Sequence, residues 1–251
     1  MKIAVISGAG SGIGRATAVI FAEQEYQVIL IGRTEGKLVQ TRESLAKPER
    51  HRIVCVDVRA KAPLHSEIQA LSLQSVDAVI ANAGVGGGNR YGDRDRWQEV
   101  IDINLTGTYN LVNECLPYLR AKQADYKHVM VVSSVLAKLG VPGYSAYCAS
   151  KAGLLGLMRS WAVELAQQKI LVNAICPGWV ETEMAADGIQ AVADLTNNTY
   201  DDALNQQMKQ VPLGKMSQPE EVANLIYFLI SGQQNSITGQ AIDINNGVLM
   251  P

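Results

Sequence analysis

The sequence is short of the features that would mark a secreted, membrane-bound or nucleic-acid-binding protein. Its four cysteines, Cys55, Cys115, Cys148 and Cys176, are scattered, without the C-x-x-C pair that zinc binding or redox exchange uses. They read as buried thiols of a reducing compartment. Neither sign of charge dominates: 22 Lys and Arg stand against 24 Asp and Glu, a formal net charge of -2. A whole-domain basic field that would attract DNA, RNA or an anionic membrane is therefore absent. The N-terminus lacks the basic region and long apolar core of a secretory signal. Apolar runs such as 28–31 and 129–132 fall far below the ~20 residues that cross a bilayer. These absences point to a cytoplasmic protein with neither a membrane nor a nucleic-acid partner.

What is present is a globular composition. With 47% hydrophobic and 18% charged residues over 251 positions, the chain is expected to form one domain, 1–251, rather than a disordered segment. Short β-branched runs at 2–7, 27–32, 52–56, 76–81, 127–133, 170–175 and 240–243 alternate with helical stretches near 12–25, 35–46, 62–71, 94–120, 145–168 and 218–231. That rhythm predicts an α/β fold, a single doubly wound, Rossmann-type domain with a parallel sheet of about seven strands and helices on both faces. The polar segment 181–210 breaks the rhythm after the turn signal Pro177-Gly178, and its length suggests a substrate lid.

The first strand runs into Ser7-Gly8-Ala9-Gly10-Ser11-Gly12-Ile13-Gly14 at the start of a helix. Glycines there let the backbone turn sharply and approach a pyrophosphate resting on the helix N-terminus. A tight strand-to-helix connection would be the plainer reading of such a turn alone. At the end of the second strand, where an acid would hold the ribose hydroxyl of NAD, stand Gly32 and Arg33. A missing carboxylate removes repulsion, and a guanidinium can pair with a 2'-phosphate in two-point geometry, so NADP(H) is favoured over NAD(H).

The spacing of Gly8, Gly12 and Gly14 resembles the short-chain dehydrogenase/reductase family, with Ser7 in place of the usual Thr. The resemblance covers 2–249 and implies further cofactor contacts. Ser11 and Ile13 belong to the phosphate turn, although many NADP-using relatives carry a basic residue at the Ser11 place. Asp57 would meet the adenine amine beside Val58, and Asn82-Ala83-Gly84 would form the floor under the cofactor. Past the sixth strand, Pro177, Gly178, Val180 and Thr182 match a motif that orients the nicotinamide. Asn245-Asn246-Gly247 departs from the common Asp-Gly-Gly near the C-terminus.

The catalytic expectation centres on Tyr147 and Lys151, which share one helix face at i and i+4, so that an ammonium can stand near a phenol and favour its ionised form. An exposed helix face would give the same spacing by chance. With Ser134 at a strand end and Asn104 upstream, the four match the family's Asn-Ser-Tyr-Lys tetrad. Ser134 and Tyr147 would stabilise the oxygen of a carbonyl as hydride arrives, with Tyr147 giving the proton. The resemblance gives Lys151 a grip on the nicotinamide ribose and Asn104 a water leading to solvent. His51, His65 and His128 lie outside this group and are expected at the surface, and no metal-ligand cluster is visible.

The opening 181–185 and the later 211–214 look like ketoreductases acting on carrier-bound β-ketoacyl chains. Yet 170–208 carries Glu181, Glu183, Asp187, Asp194, Asp201 and Asp202 and no Lys or Arg, which would repel a CoA phosphate or acidic carrier. A basic docking surface would have to come from Arg90, Arg94 and Arg96. Met184, Ile189, Val192 and Leu195 suggest an apolar pocket wall suited to a hydrophobic ketone, polyketide-like or free. The expected function is therefore ketone–alcohol interconversion by an NADP-preferring ketoreductase on a small carbonyl substrate, thioester-bound or not. The alternatives are an NAD-dependent alcohol or hydroxysteroid-type dehydrogenase, or a cofactor-sensing protein without chemistry. The resemblance implies a homotetramer, expected to form through the helices near 105–120 and 145–166, the latter carrying Leu154, Leu155, Leu157, Met158, Trp161 and Leu165, more apolar area than one core-facing stripe requires.

Overall fold

The computed structural model describes all residues except 90, 91, 93, 94, 121–124 and 251. Seven strands pair in parallel in the order β3-β2-β1-β4-β5-β6-β7. They are β1 (Ile3–Ser7), β2 (Gln27–Gly32), β3 (Arg52–Cys55), β4 (Ala78–Ala81), β5 (Lys127–Val132), β6 (Ile170–Pro177) and β7 (Ala241–Ile244). Strand order reverses between β1 and β4, whose register pairs Ile6 with Ile80, and this opens the crevice where doubly wound sheets bind ligands. The expected α/β architecture and strand positions are observed.

Alternating side chains feed two separate cores. Val5, Ile29 and Ile31 point to a face covered by α3 (Lys61–Ala70), α5 (Gly107–Arg120) and α6 (Ser145–Leu165). Their neighbours Ala4, Ile6, Val28 and Leu30 point to the opposite face, under α1 (Gly12–Glu23), α2 (Glu35–Ser44) and α9 (Pro219–Ile230). Because both faces are covered, the central strands are apolar over most of their length, with Ser7, Lys127, His128 and Asn173 as buried exceptions.

Three expectations need correction here. The single helix over 94–120 is instead α4 (Trp97–Ile101), a π-helical turn over Asp102–Thr106, and α5. A one-residue expansion of this kind leaves apolar periodicity nearly intact, so pattern alone cannot locate it. Secondly, His51 and His128 are buried. Each His51 nitrogen is occupied, Nδ1 accepting from the Val28 N–H at 3.0 Å and Nε2 lying 2.9 Å from the Ala46 carbonyl, while burial pushes His128 down to about 4. His65 alone is exposed, against Glu114. Thirdly, Cys55 is exposed and Cys148 only partly covered, leaving Cys115 and Cys176 as the buried thiols.

The segment 181–210 folds into α7 (Glu183–Thr196) and α8 (Tyr200–Met208). Thr182 caps α7 by accepting from the Ala185 N–H, and Thr199 caps α8 by accepting from the Asp202 N–H. Ile189, Ala193 and Ala203 form a small core of their own, with Trp179, Val192 and Leu204 packed against it. Ile189 and Val192 are thus consumed inside the hairpin, and Leu195 is 87% exposed, so the expected pocket wall reduces to Met184. Met184 lies so close to Gly86 that a Cβ there would sit 3.1 Å from its sulfur.

Candidate active site

The glycine-rich turn connects β1 to α1 at the crevice. Gly8 adopts φ +64, and a Cβ on it would come within 2.8 Å of Asn82 Nδ2. At Gly14 a Cβ would stand 2.2 Å from the Gly8 carbonyl, which lets α1 seat directly on the turn. Ser7 explains why a hydroxyl is needed ahead of the first glycine: its Oγ accepts from the backbone N–H groups of Asn82 and Ala83, both at 3.0 Å. The Asn82 amide in turn donates to the Ser7 and Gly8 carbonyls. Ser7, Asn82 and Ala83 therefore lock the ends of β1 and β4 together, with Gly84 following.

Two cations missed by sequence reasoning complete this half. Arg15 donates to the Gly10 carbonyl at 2.6 Å and to Thr41 Oγ1 at 3.2 Å, fastening the turn to α2. Lys37 pairs with Glu183 at 2.6 Å, joining α2 to the first turn of α7, while Thr182 packs its methyl over Gly12. Ser11 and Ile13 lie at the mouth of the helix, with Ser11 in extended backbone and its side chain making no cap bond.

At the end of β2, Arg33 is half-exposed with Nη1 3.8 Å from Asp57 Oδ2. Asp57 is also gripped by Arg59 at 2.8–3.1 Å, and this hydrogen bonding holds its carboxyl below the usual range. Asp57 thus faces two guanidiniums, and Arg59, two residues along the same loop, was the unrecognised one. Val58 is buried against Gly107, where a Cβ would meet its methyl at 2.5 Å.

On the other side of the crevice, Ser133 and Ser134 follow the end of β5. Ser134 caps a tight 3₁₀ turn, Val135–Ala137, its Oγ accepting from the Leu136 N–H at 3.1 Å, which leaves the hydroxyl proton free to donate. Ser133 instead donates to the Lys151 carbonyl at 2.9 Å, a contact that ties the end of β5 to α6. Burial pushes the Tyr147 phenol up to about 12, and the Ser134 hydroxyl beside it pulls the other way. Lys151 is buried, its Nζ 5.6 Å from the Tyr147 ring centre and donating to the Val132 carbonyl at 2.9 Å. Burial pushes this ammonium down to about 8. The expectation that Lys151 lowers the phenol is not expressed in this arrangement, because the ammonium is turned to a backbone carbonyl.

Asn104 sits in the π-helical turn, fully buried. Its Oδ1 accepts from the Val85 N–H at 2.8 Å, and its Nδ2 donates to the Val85 carbonyl and to Ser150 Oγ at 3.1 and 3.0 Å. The side chain thus joins the loop after β4 to α6. A Cβ on Gly84 would lie 3.2 Å from Asn104 Oδ1 and 3.4 Å from Lys151 Nζ, so these two residues converge beneath the crevice floor.

Pro177 closes β6, and the Gly178 N–H donates to the Ile244 carbonyl at 3.1 Å. Val180 is buried and bridges to Ser217, while Thr182 Oγ1 donates to the Val180 carbonyl at 3.1 Å. Of the three arginines considered for docking, Arg90 and Arg94 lie outside the described residues. Arg96 is tied to Glu99 at 2.8 Å and to the Gly86 carbonyl at 3.1 Å, a clamp on the crevice wall rather than a free basic group.

Comparison with known proteins agrees with this geometry. The family profile described as enoyl-(acyl carrier protein) reductase matches residues 8–249. The chain is 34% identical over 255 residues to a 3-oxoacyl-(acyl-carrier-protein) reductase FabG of Thermotoga maritima, covering 99% of this chain and 98% of that one. It is 36% identical over 253 residues to the ketoacyl reductase assigned to the monensin polyketide synthase of Streptomyces virginiae, with 98% and 97% covered. Among solved structures, an actinorhodin polyketide ketoreductase variant with NADPH superposes with a TM-score of 0.92 at 30% identity, over 98% of this chain and 97% of that one.

Proposed function

The chain belongs to the short-chain dehydrogenase/reductase family, and from that premise we propose that it is an NADP(H)-dependent oxidoreductase that interconverts a ketone and a secondary alcohol. The observation that carries the reading is the meeting of Ser134 and Tyr147 above a buried Lys151 at the C-terminal edge of the sheet.

The residues present fit a phosphorylated dinucleotide: the glycine turn has no room for side chains, and Arg33 offers a half-exposed guanidinium at the strand end. Gly8, Ser11, Gly12, Ile13 and Gly14 would hold the pyrophosphate, Arg33 the 2'-phosphate, and Asp57 with Val58 the adenine. Asn82, Ala83 and Gly84 would form the floor under the cofactor, and Pro177, Gly178, Val180 and Thr182 would orient its nicotinamide. When bound, the cofactor supplies or accepts the hydride.

The chain's own part is the oxygen and its proton. As negative charge grows on the carbonyl oxygen, Ser134 donates a hydrogen bond and Tyr147 donates a proton. A phenol held near 12 is fully protonated at neutral pH, as a donor must be. The reverse reaction needs that pKa lowered, a task that falls to Lys151, the buried cation 5.6 Å from the Tyr147 ring centre, which would also hold the ribose of a bound cofactor. Asn104 keeps Lys151 and the loop after β4 in place.

The relatives' names and the fold likeness support a β-ketoacyl or polyketide-like substrate, and the acidic hairpin 181–210, serving as a lid over the one domain, favours an apolar ketone without a phosphate-bearing carrier. The proposal includes homotetrameric assembly in the cytoplasm. Five of the six apolar residues expected to face a partner on α6 are used by the chain's own core. What remains for a partner is an open groove of about 470 Å³ lined by Leu105, Thr106, Tyr109, Gly153, Gly156, Leu157 and Ser160. NADPH oxidation with free cyclic ketones and with β-ketoacyl thioesters tests the reading. Turnover of either supports it, and tight NADPH binding without turnover on any ketone would make the chain a cofactor sensor.

A further inference from the structure

We propose that Lys138 and Asp243 form a positioning pair that braces the Ser134 hydroxyl against Tyr147 from the last strand of the sheet. The inference rests on the catalytic reading of Ser134 and Tyr147 and adds two residues to it.

Ser134 does not stand on the strand itself but opens the 3₁₀ turn that follows. The turn is closed by Ala137 N–H to the Ser134 carbonyl at 3.0 Å and by Lys138 N–H to the Val135 carbonyl at 3.0 Å. Its backbone therefore sets where the Ser134 hydroxyl points, and Lys138 is the residue at which it ends. From there Lys138 Nζ reaches past β6 to β7, donating to Asp243 Oδ2 at 2.6 Å and to the Ala241 carbonyl at 3.3 Å. The far end of the serine turn is thus fixed to a strand two places away in the sheet.

Two further facts separate this pair from an ordinary surface bridge. Both side chains are mostly covered, 22% exposed for Lys138 and 17% for Asp243, so solvent screens them little. Asp243 Oδ1 is buried with no hydrogen-bond partner among the described residues. Asp243 also lies directly across the ladder from Cys176, and next to Cys176 the Ile175 carbonyl accepts from the Ser133 N–H at 2.9 Å. Lys138, Asp243, the end of β6 and Ser133 are therefore contiguous behind Ser134. Misplacing a donor by about 1 Å can cost on the order of 10²-fold in rate, so a brace at this point acts on the chemistry.

The test is a double-mutant cycle of Lys138→Met with Ser134→Ala in full-length protein, with NADPH and the best ketone of the panel above. Lys138→Met is expected to lower kcat by roughly tenfold or more, leave KM and NADPH affinity within about twofold, and move the alkaline fall of the reduction rate to higher pH, as Ser134→Ala does. Combined with Ser134→Ala it should add almost nothing, since it acts through that hydroxyl. Lys138→Arg should recover much of the loss. If Lys138→Met fails to fold, the near-isosteric Asp243→Asn takes its place in the same cycle. Losses that multiply, or an unchanged kcat and pH profile beside a damaged Ser134→Ala, would overturn the brace. An unaffected Ser134→Ala would instead overturn the catalytic reading on which it stands.

Discussion

The two sides of the crevice are finished to different degrees. On the cofactor side the polar groups at the ends of β1 and β4 already have partners: Ser7 holds two backbone N–H groups, Asn82 two carbonyls, and Arg15 ties the turn to α2. On the catalytic side, burial displaces both titratable groups, the Tyr147 phenol up to about 12 and the Lys151 ammonium down to about 8, with the ammonium turned to a carbonyl. The contrast teaches that the binding half is assembled by folding alone. The chemical half holds its groups close together but leaves their charges to be set by what binds.

The largest effect that would break this contrast is expected at Lys151. Lys151→Met should lower turnover by roughly 10²-fold or more and weaken NADPH binding as well, because one ammonium serves both halves. It should also alter the pH dependence of stability. The folded-state pKa of Lys151 lies below its usual value of 10.5, so between about pH 8 and 10.5 this group's own contribution to stability rises with pH. Denaturant unfolding across that range should show the stability of Lys151→Met falling relative to the wild type as pH rises.

A smaller effect is expected at Arg33, on the outer edge of the cofactor side. Arg33→Ala should reduce the preference for NADPH over NADH about tenfold, through loss of the charged hydrogen bonds to the 2'-phosphate, with little change in kcat. Fluorescence titration with both nucleotides checks it, and an unchanged ratio would move the role to Arg59 or Lys37. Least affected should be Ser7→Ala, which deprives the Asn82 and Ala83 N–H groups of their acceptor. Its expected cost is about 1 kcal/mol of stability, with NADPH affinity falling more than kcat. Chemical denaturation measures it.

Much of this was legible in the sequence because it is local. The alternation of apolar runs locates all seven strands, and the glycine turn, the two serines and the Tyr147/Lys151 pair each lie in one continuous stretch. What escaped depends on distant contacts. Arg15, Lys37 and Arg59 are unremarkable surface cations until α2, α7 and the loop after β3 are brought to the crevice. Asn104 was found by its place upstream of Tyr147, but its commitment to Val85 and Ser150 follows from a π-helical turn with no distinct apolar pattern. The surface expectation for His51 and His128 rests only on their place outside the catalytic group, whereas an imidazole with both nitrogens satisfied, as in His51, can be buried without an unpaired group. Ile189 and Val192 were apolar as read, yet their hydrophobic face closes the α7–α8 hairpin on itself rather than lining the substrate path.

The central claim is that Tyr147 gives the proton while the cofactor side stands complete without it. Single-turnover NADPH oxidation by Tyr147→Phe, run at saturating cofactor beside a cofactor titration, tests this most directly. The ring's packing is kept and only the proton donor is removed. The expected result is a chemical step slowed by at least ~10²-fold with NADPH affinity nearly unchanged. Wild-type turnover in this variant would contradict the account.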